Sequence, residues 1–120
     1  PDYQRLYGRA FSKLFAAEAL IRQGGEHHQQ ACRDQADGSQ EFTALIDLET
    51  SALAGEAFTL AWDAVQEIIL PGAGTGAIGD GSRIQRIWRD MSTARTHVYV
   101  VQIDLYHRDI GQLRLLPQAD

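Results

Sequence analysis

Apolar or small residues recur at Tyr3, Tyr7, Ala10, Leu14, Ala17, Ile21, Gly24, His28 and Ala31, in steps that alternate between four and three. Such steps follow one face of an α-helix, whereas a strand would scatter the same residues to both of its sides. The pattern predicts a long helix over residues 3 to about 35 with a bundle-type seam, closed by Asp37-Gly38-Ser39. Gly24-Gly25 lies inside it. Each glycine weakens a helix interior by about 1 kcal/mol relative to alanine, so a loosening or kink is expected there.

A second stripe, Phe42, Leu45, Ile46, Leu53, Ala57, Leu60, Ala61, Ala64 and Ile68, predicts a second long helix. Pro71-Gly72 is expected to stop it, because proline lacks an N–H and its ring collides with the preceding turn. Glu49 and Glu56 fall near the centre of this stripe by angle, and each needs a partner if buried. Residues 71–81 hold five glycines in eleven positions and read as a connecting loop. Ser82 then caps a third helix, with Gln85 three residues on completing a capping box. The run 98–103 is rich in β-branched residues, yet Met91, Val98, Val101 and Leu105 stay within about 80° on a helical wheel. Helix is therefore expected to continue toward Tyr106 and to end at Gly111. Leu113, Leu115, Leu116 and Pro117 are left as an apolar tail. The fold class that follows is all-α, an up-and-down bundle of three to four helices in one domain over residues 1–120.

Composition narrows the partners. The 120 residues carry 11 basic and 16 acidic side chains, a formal charge of −5, which argues against a nucleic-acid partner. No apolar run approaches the roughly 18 residues of a membrane span, and the first residues lack the basic and apolar regions of a signal peptide. A cytoplasmic protein with no membrane partner is expected. The single cysteine, Cys32, excludes an internal disulfide. The chain does not start with Met, and the expectation is a C-terminal fragment or a stand-alone version of a larger protein.

Three motifs invite chemistry. Gly74-Thr-Gly76-Ala-Ile-Gly79 spells a dinucleotide fingerprint, but that fingerprint needs a preceding strand, and the residues before it have helical period. A loop between helices is the better reading. His27, His28 and Cys32 suggest a metal site, but adjacent histidines project about 100° apart on a helix and no second ligand pair is visible. Helix surface is preferred, with no metal expected. The third motif is the polar face of residues 82–97, where Arg86, Asp90, Thr93 and His97 fall within about 60° of one another. Ile84, Ile87, Trp88, Met91, Ala94 and Val98 cover the opposite side. As a merely solvated face it would carry an Arg86–Asp90 ion pair worth about 0.3–0.5 kcal/mol.

This segment resembles the C-terminal helical domain of the acyl-CoA dehydrogenase superfamily, and in particular its flavin-dependent monooxygenase branch (group D). The residues that carry the likeness are Ala77-Ile78 after the glycine-rich turn, Ser82, Gln85-Arg86, Trp88-Arg89-Asp90 and His97. Arg83 stands where the family commonly has proline, and the chain after Tyr106 follows no family pattern. The resemblance implies a bundle that meets a flavin held largely by a β-barrel domain and that also builds the core of an oligomer, dimer or tetramer. The dehydrogenase branch places its catalytic glutamate in a Tyr-Glu pair; here His97-Val98 fills that position, and valine takes no proton. A histidine there is typical of the monooxygenases.

The resemblance implies that His97 is catalytic, orienting or deprotonating substrate, and that Arg86, Arg89 and Asp90 lie at the cofactor, FAD or FMN. The implied partners are the missing flavin-binding domains or a partner subunit, and a flavin reductase. The chain alone is expected to hold no flavin tightly and to be inactive. The alternatives are an acyl-CoA dehydrogenase proper and a non-catalytic helical assembly module.

Overall fold

The computed structural model describes residues 2–116. The Asp2 side chain opens α1 (Tyr3–Asp37) by accepting the Arg5 N–H at 3.0 Å. Gly38 closes it with φ 79°, a left-handed geometry that suits glycine because no Cβ is present to clash. The Asp34 carbonyl then accepts the Ser39 N–H at 3.0 Å. Beyond the short turn, the Thr43 hydroxyl caps α2 (Ala44–Asp63) by accepting the Ile46 N–H.

The two helices pack antiparallel, with Lys13 paired to Asp63 and Gly24 facing Leu53. The seam is made of small residues. On α1 it is Ala10, Ala17, Gly24 and Ala31, one every seven positions, and on α2 it is Ala52, Gly55 and Ala57. Helices whose contact rows lack bulky side chains can approach closely along their whole length. That contact corrects the expected kink, because α1 runs unbroken through Gly24-Gly25. Gly24 is held in the seam, where a Cβ would stand 3.5 Å from that of Leu53. Packing there offsets the poor local propensity.

Pro71-Gly72 does not stop the second helix either. The ladder widens into a π-turn over Ala64–Ile69, in which the Leu70 N–H reaches the Val65 carbonyl five residues back. The wider turn relieves the clash that a proline ring imposes on an α-helix. The chain then continues as α3 (Leu70–Ala73) and leaves the helix at Gly74, φ 78°. A 3₁₀ turn at Thr75–Ile78 leads to α4 (Arg83–Ala94), α5 (Val98–Val101) and α6 (Ile103–Leu115). The glycine-rich stretch is therefore a connection between helices.

The third long member of the bundle is α6, not the segment after Ser82. It lies antiparallel on α2, with Arg114 ion-paired to Glu49 and His107 3.5 Å from Glu56. Neither stripe glutamate is buried, Glu49 being half-buried and Glu56 exposed, so these pairs join α6 to α2 and do not compensate a buried charge. Gly111 does not end α6, because the helix is anchored to α2 on both sides of it. Nor is the helix continuous from Ser82 to Tyr106. At its end the Thr93 carbonyl accepts the Thr96 N–H and the Thr96 hydroxyl at 3.1 and 2.7 Å, and the Ala94 carbonyl accepts the His97 N–H at 2.9 Å. These shorter-range bonds tighten the chain out of α geometry, as a threonine that bonds its own backbone tends to do.

The fold is all-helical among the described residues, and no helix among them is long and apolar enough to cross a membrane. The molecule measures 60 × 28 × 26 Å with a radius of gyration of 18.2 Å, against about 14 Å for a compact domain of this length. Its accessible surface is 8497 Å², where a self-contained globule of this mass exposes about 6,500 Å². The difference is apolar in part. Tyr3, Tyr7, Phe11 and Phe15 stand exposed along α1, and Leu113, Leu115 and Leu116 are exposed at the end of α6; Pro117, the fourth residue of the expected tail, lies outside the described residues.

Candidate functional site

α4 begins where expected: the Ser82 hydroxyl accepts the Gln85 N–H at 3.4 Å. The Ser82 N–H bonds instead to the Gly79 carbonyl, so the capping box forms on one side only. From this cap Arg83, Arg86 and Arg89 follow at steps of three, a ridge about 120° wide on the helix. With Ser82, Gln85 and Asp90 they line a groove of 510 Å³ on the helix surface. Among the described residues none of the three arginines has an ion-pair partner, and Arg86 does not pair with Asp90 as a solvated face predicts. The Thr93 hydroxyl donates to the Arg89 carbonyl rather than facing the groove chemistry.

The expected site therefore divides. Arg86, Arg89 and Asp90 share one groove, whereas His97 lies beyond the end of α4 and does not line it. His97 is exposed in the tight turn between α4 and α5, and its carbonyl accepts the Val100 and Val101 N–H groups at 3.0 and 3.1 Å. It thus sits as the residue before α5, fixed by its backbone at both ends.

α4 buries none of its residues and packs mainly on the 3₁₀ turn. Two side-chain contacts tie it to the second helix. The Trp88 indole N–H donates to Gln66 Oε1 at 2.6 Å, and the Arg95 guanidinium lies over the Trp62 ring, 4.9 Å from its centroid. Neither contact was legible in the sequence, because it joins residues 22 or more apart through side chains with no local signature. The Glu49 and Glu56 partners did leave a signal: each pair member lies seven residues from its counterpart on the same helix, the repeat that keeps two positions on one face.

His27 and Cys32 are exposed on α1, as expected, whereas His28 is half-buried and its Nδ1 is buried without a hydrogen-bond partner. Cys32 Sγ lies 3.7 Å from His28 Nε2, and the His28 ring packs edge-on against Phe42 at 5.6 Å. Among the described residues no group of three or more His, Cys, Asp or Glu side chains is placed to hold a metal ion.

The model of the family described as acyl-CoA dehydrogenase, C-terminal domain, matches residues 1–102. The chain belongs to that family. Its members are parts of flavin-dependent oxidoreductases. The match takes in the hairpin, the groove on α4, His97 and α5, and it stops just before α6. Neither the curated proteins nor the solved structures yield a match. α1 to α5 thus lie within the residues matched to the acyl-CoA dehydrogenase C-terminal domain, and α6 lies beyond them.

Proposed function

We propose that this bundle serves a flavin-dependent monooxygenase, contributing to its flavin and substrate site and to its oligomerisation. The observation that carries the reading is the arginine ridge. In a chain of net charge −5, Arg83, Arg86 and Arg89 stand together without carboxylate partners among the described residues. Guanidinium groups unspent on carboxylates are suited to phosphate oxygens, which they bind through charge-assisted hydrogen bonds. They fit the phosphate end of FAD or FMN, and Asp90 lies on the same groove without pairing with them. The groove is built from one helix and its cap, so it offers one wall; a further domain or a partner subunit supplies the other.

When bound, the reduced flavin supplies the electrons with which dioxygen is activated for hydroxylation, and a flavin reductase supplies those electrons in turn. The chain's own part is positioning. His97, exposed and fixed by its backbone, holds or removes a proton at a substrate hydroxyl, a task for which imidazole is suited near neutral pH. Val98 stands beside it where an acyl-CoA dehydrogenase proper carries its glutamate, which disfavours that alternative. The surplus accessible surface and the exposed Tyr3, Tyr7, Phe11 and Phe15 support a dimer or tetramer.

The test is His97→Asn in the assembled enzyme, read as hydroxylated product formed per dioxygen consumed. Coupling should fall sharply while flavin content stays unchanged, since Asn keeps the shape and cannot act as the base. Unchanged coupling removes His97 from the mechanism. The isolated chain should hold FAD or FMN no more tightly than about the millimolar range, as one wall of arginines holds a phosphate; micromolar binding requires about 8 kcal/mol and would show that the bundle holds flavin unaided. Sedimentation that gives only a monomer at high concentration would leave the oligomer role without support.

A further inference from the structure

α4 has no buried residue, yet its arginine ridge and the turn bearing His97 need a fixed place relative to the bundle. Among the described residues, its two long-range polar attachments come from one short stretch of the second helix. Trp62 lies in the last turn of α2 and Gln66 in the π-turn, four residues on. Their counterparts, Trp88 and Arg95, lie seven residues apart on α4 and its cap, in antiparallel order. A single attachment would let α4 swivel about one point; two attachments about two turns apart fix both its axial position and its rotation. Both contacts are directional, one an indole N–H aimed at an amide oxygen and the other a guanidinium over a ring face.

The π-turn is part of the arrangement. It inserts a wider turn into an otherwise α-helical rod, and such insertions shift the side chains of one helical stretch relative to those before it. Gln66 lies inside this turn, so the same irregularity that carries the chain past Pro71 also sets where the Gln66 amide is presented.

We infer that Gln66 and Trp62 are positioning residues: through Trp88 and Arg95 they hold the arginine ridge and the His97 turn as one unit on the bundle. The inference deepens the phosphate and substrate reading given above and rests on it for its functional meaning. Its physical content, a two-point clamp that spans from the ridge to His97, stands or falls separately.

The experiment uses the full chain labelled with ¹⁵N, with inorganic pyrophosphate as the anion probe. Gln66→Leu removes the acceptor at an exposed position, Gln66→Glu keeps an oxygen at the same reach, and Gln66→Asn withdraws it by one methylene. In the Leu and Asn variants, exchange of the Trp88 indole N–H should accelerate about tenfold, as loss of a hydrogen bond of this type implies. The amide resonances of Thr96, His97 and Val98 should shift, and pyrophosphate should bind several-fold more weakly. The Glu variant should restore the slow indole exchange. Trp62→Leu should move the same three amides while leaving the indole exchange slow. If Gln66→Leu and Gln66→Asn both leave the indole exchange and the 96–98 amides unchanged, the clamp is overturned. Pyrophosphate binding that is equal in all variants likewise overturns it while upholding the phosphate reading. Absence of pyrophosphate binding to the unaltered chain overturns the phosphate reading alone, because the Gln66-dependent response of Trp88 and His97 still reports the clamp.

Discussion

Along the α1–α2 hairpin the buried positions are alanine and glycine, and stability comes from how closely two backbones approach. α4 is attached in the opposite way, through the tips of long side chains, Trp88 to Gln66 and Arg95 over Trp62, with none of its residues buried. A small-residue seam has no slack, because interiors are close-packed and added volume must displace backbone. A side-chain clamp on an exposed helix tolerates changes of volume but not of hydrogen-bonding chemistry. The hairpin therefore provides the rigid part and α4 the adjustable part, and the arginine ridge lies on the second with His97 in the turn that follows it.

The sharpest way to break this contrast is to change side-chain volume in each region, adding it in the seam and removing it from α4. Ala17→Leu, in the seam, should destabilise the chain by about 1–3 kcal/mol in denaturant unfolding. Ile87→Ala, on the exposed side of α4, should stay within about 0.5 kcal/mol. Equal costs would mean that the seam is looser, or α4 more embedded, than the exposures of 7% at Ala17 and 41% at Ile87 indicate.

A gain of stability should follow from Gly25→Ala. A Cβ there meets nothing within 4 Å, so the helix keeps its packing and gains about 0.5–1 kcal/mol of propensity. A loss would show that α1 needs the backbone freedom of Gly25, contrary to its unbroken course.

A double-mutant cycle on Glu49→Gln and Arg114→Met sharpens the account of α6. The pair is partly exposed, so its coupling should be about 0.5 kcal/mol. A value near zero would mean that this pair does not help to dock α6 on α2, leaving apolar contact and His107–Glu56.

The smallest expected effect lies in the turn between α1 and α2. The Ser39 hydroxyl, and then the Ser39 backbone N–H at 2.8 Å, favour the charged form of Asp37 and hold its carboxyl below the usual range. Because the folded value is the depressed one, this contribution is present above the ordinary aspartate pKa and is lost as pH falls through the lowered value. Carboxyl titration by NMR should place the Asp37 midpoint below that of an ordinary aspartate, and Ser39→Ala should move it upward. A midpoint unmoved by the substitution would assign the shift to the backbone N–H.

The sequence was a good guide where a local pattern and a tertiary contact agree. The step of four and three located α1 within two residues of its end, Gly38 was a stop because its left-handed backbone needs no Cβ, and Ser82 was a cap because its hydroxyl reaches an N–H three residues on. It was a poor guide at Gly24-Gly25, Pro71 and Gly111. Each is a breaker by propensity, and each is overridden: Gly24 by Leu53 and Gly111 by the pairs with Glu56 and Glu49 on either side of it, neighbours that no local window contains, and Pro71 by the π-turn that precedes it.

The candidate site divides along the same line. Sequence spacing alone brought Arg86, Arg89 and Asp90 to one groove, since residues three and four apart share a helix face wherever the helix persists. The same spacing also assigned His97 to that face, and there it failed. Helical periodicity extrapolates only as far as the helix, and the bonds that end α4 are made by Thr93, Ala94 and Thr96 in concert with Arg95 drawn onto Trp62. Which residues can share a helix face is thus fixed by the order of amino acids. Which helix it is held against, and whether a glycine within it breaks it, was decided by contacts between segments distant in the chain, because backbone propensities of about 1 kcal/mol are smaller than the packing and hydrogen bonding that oppose them.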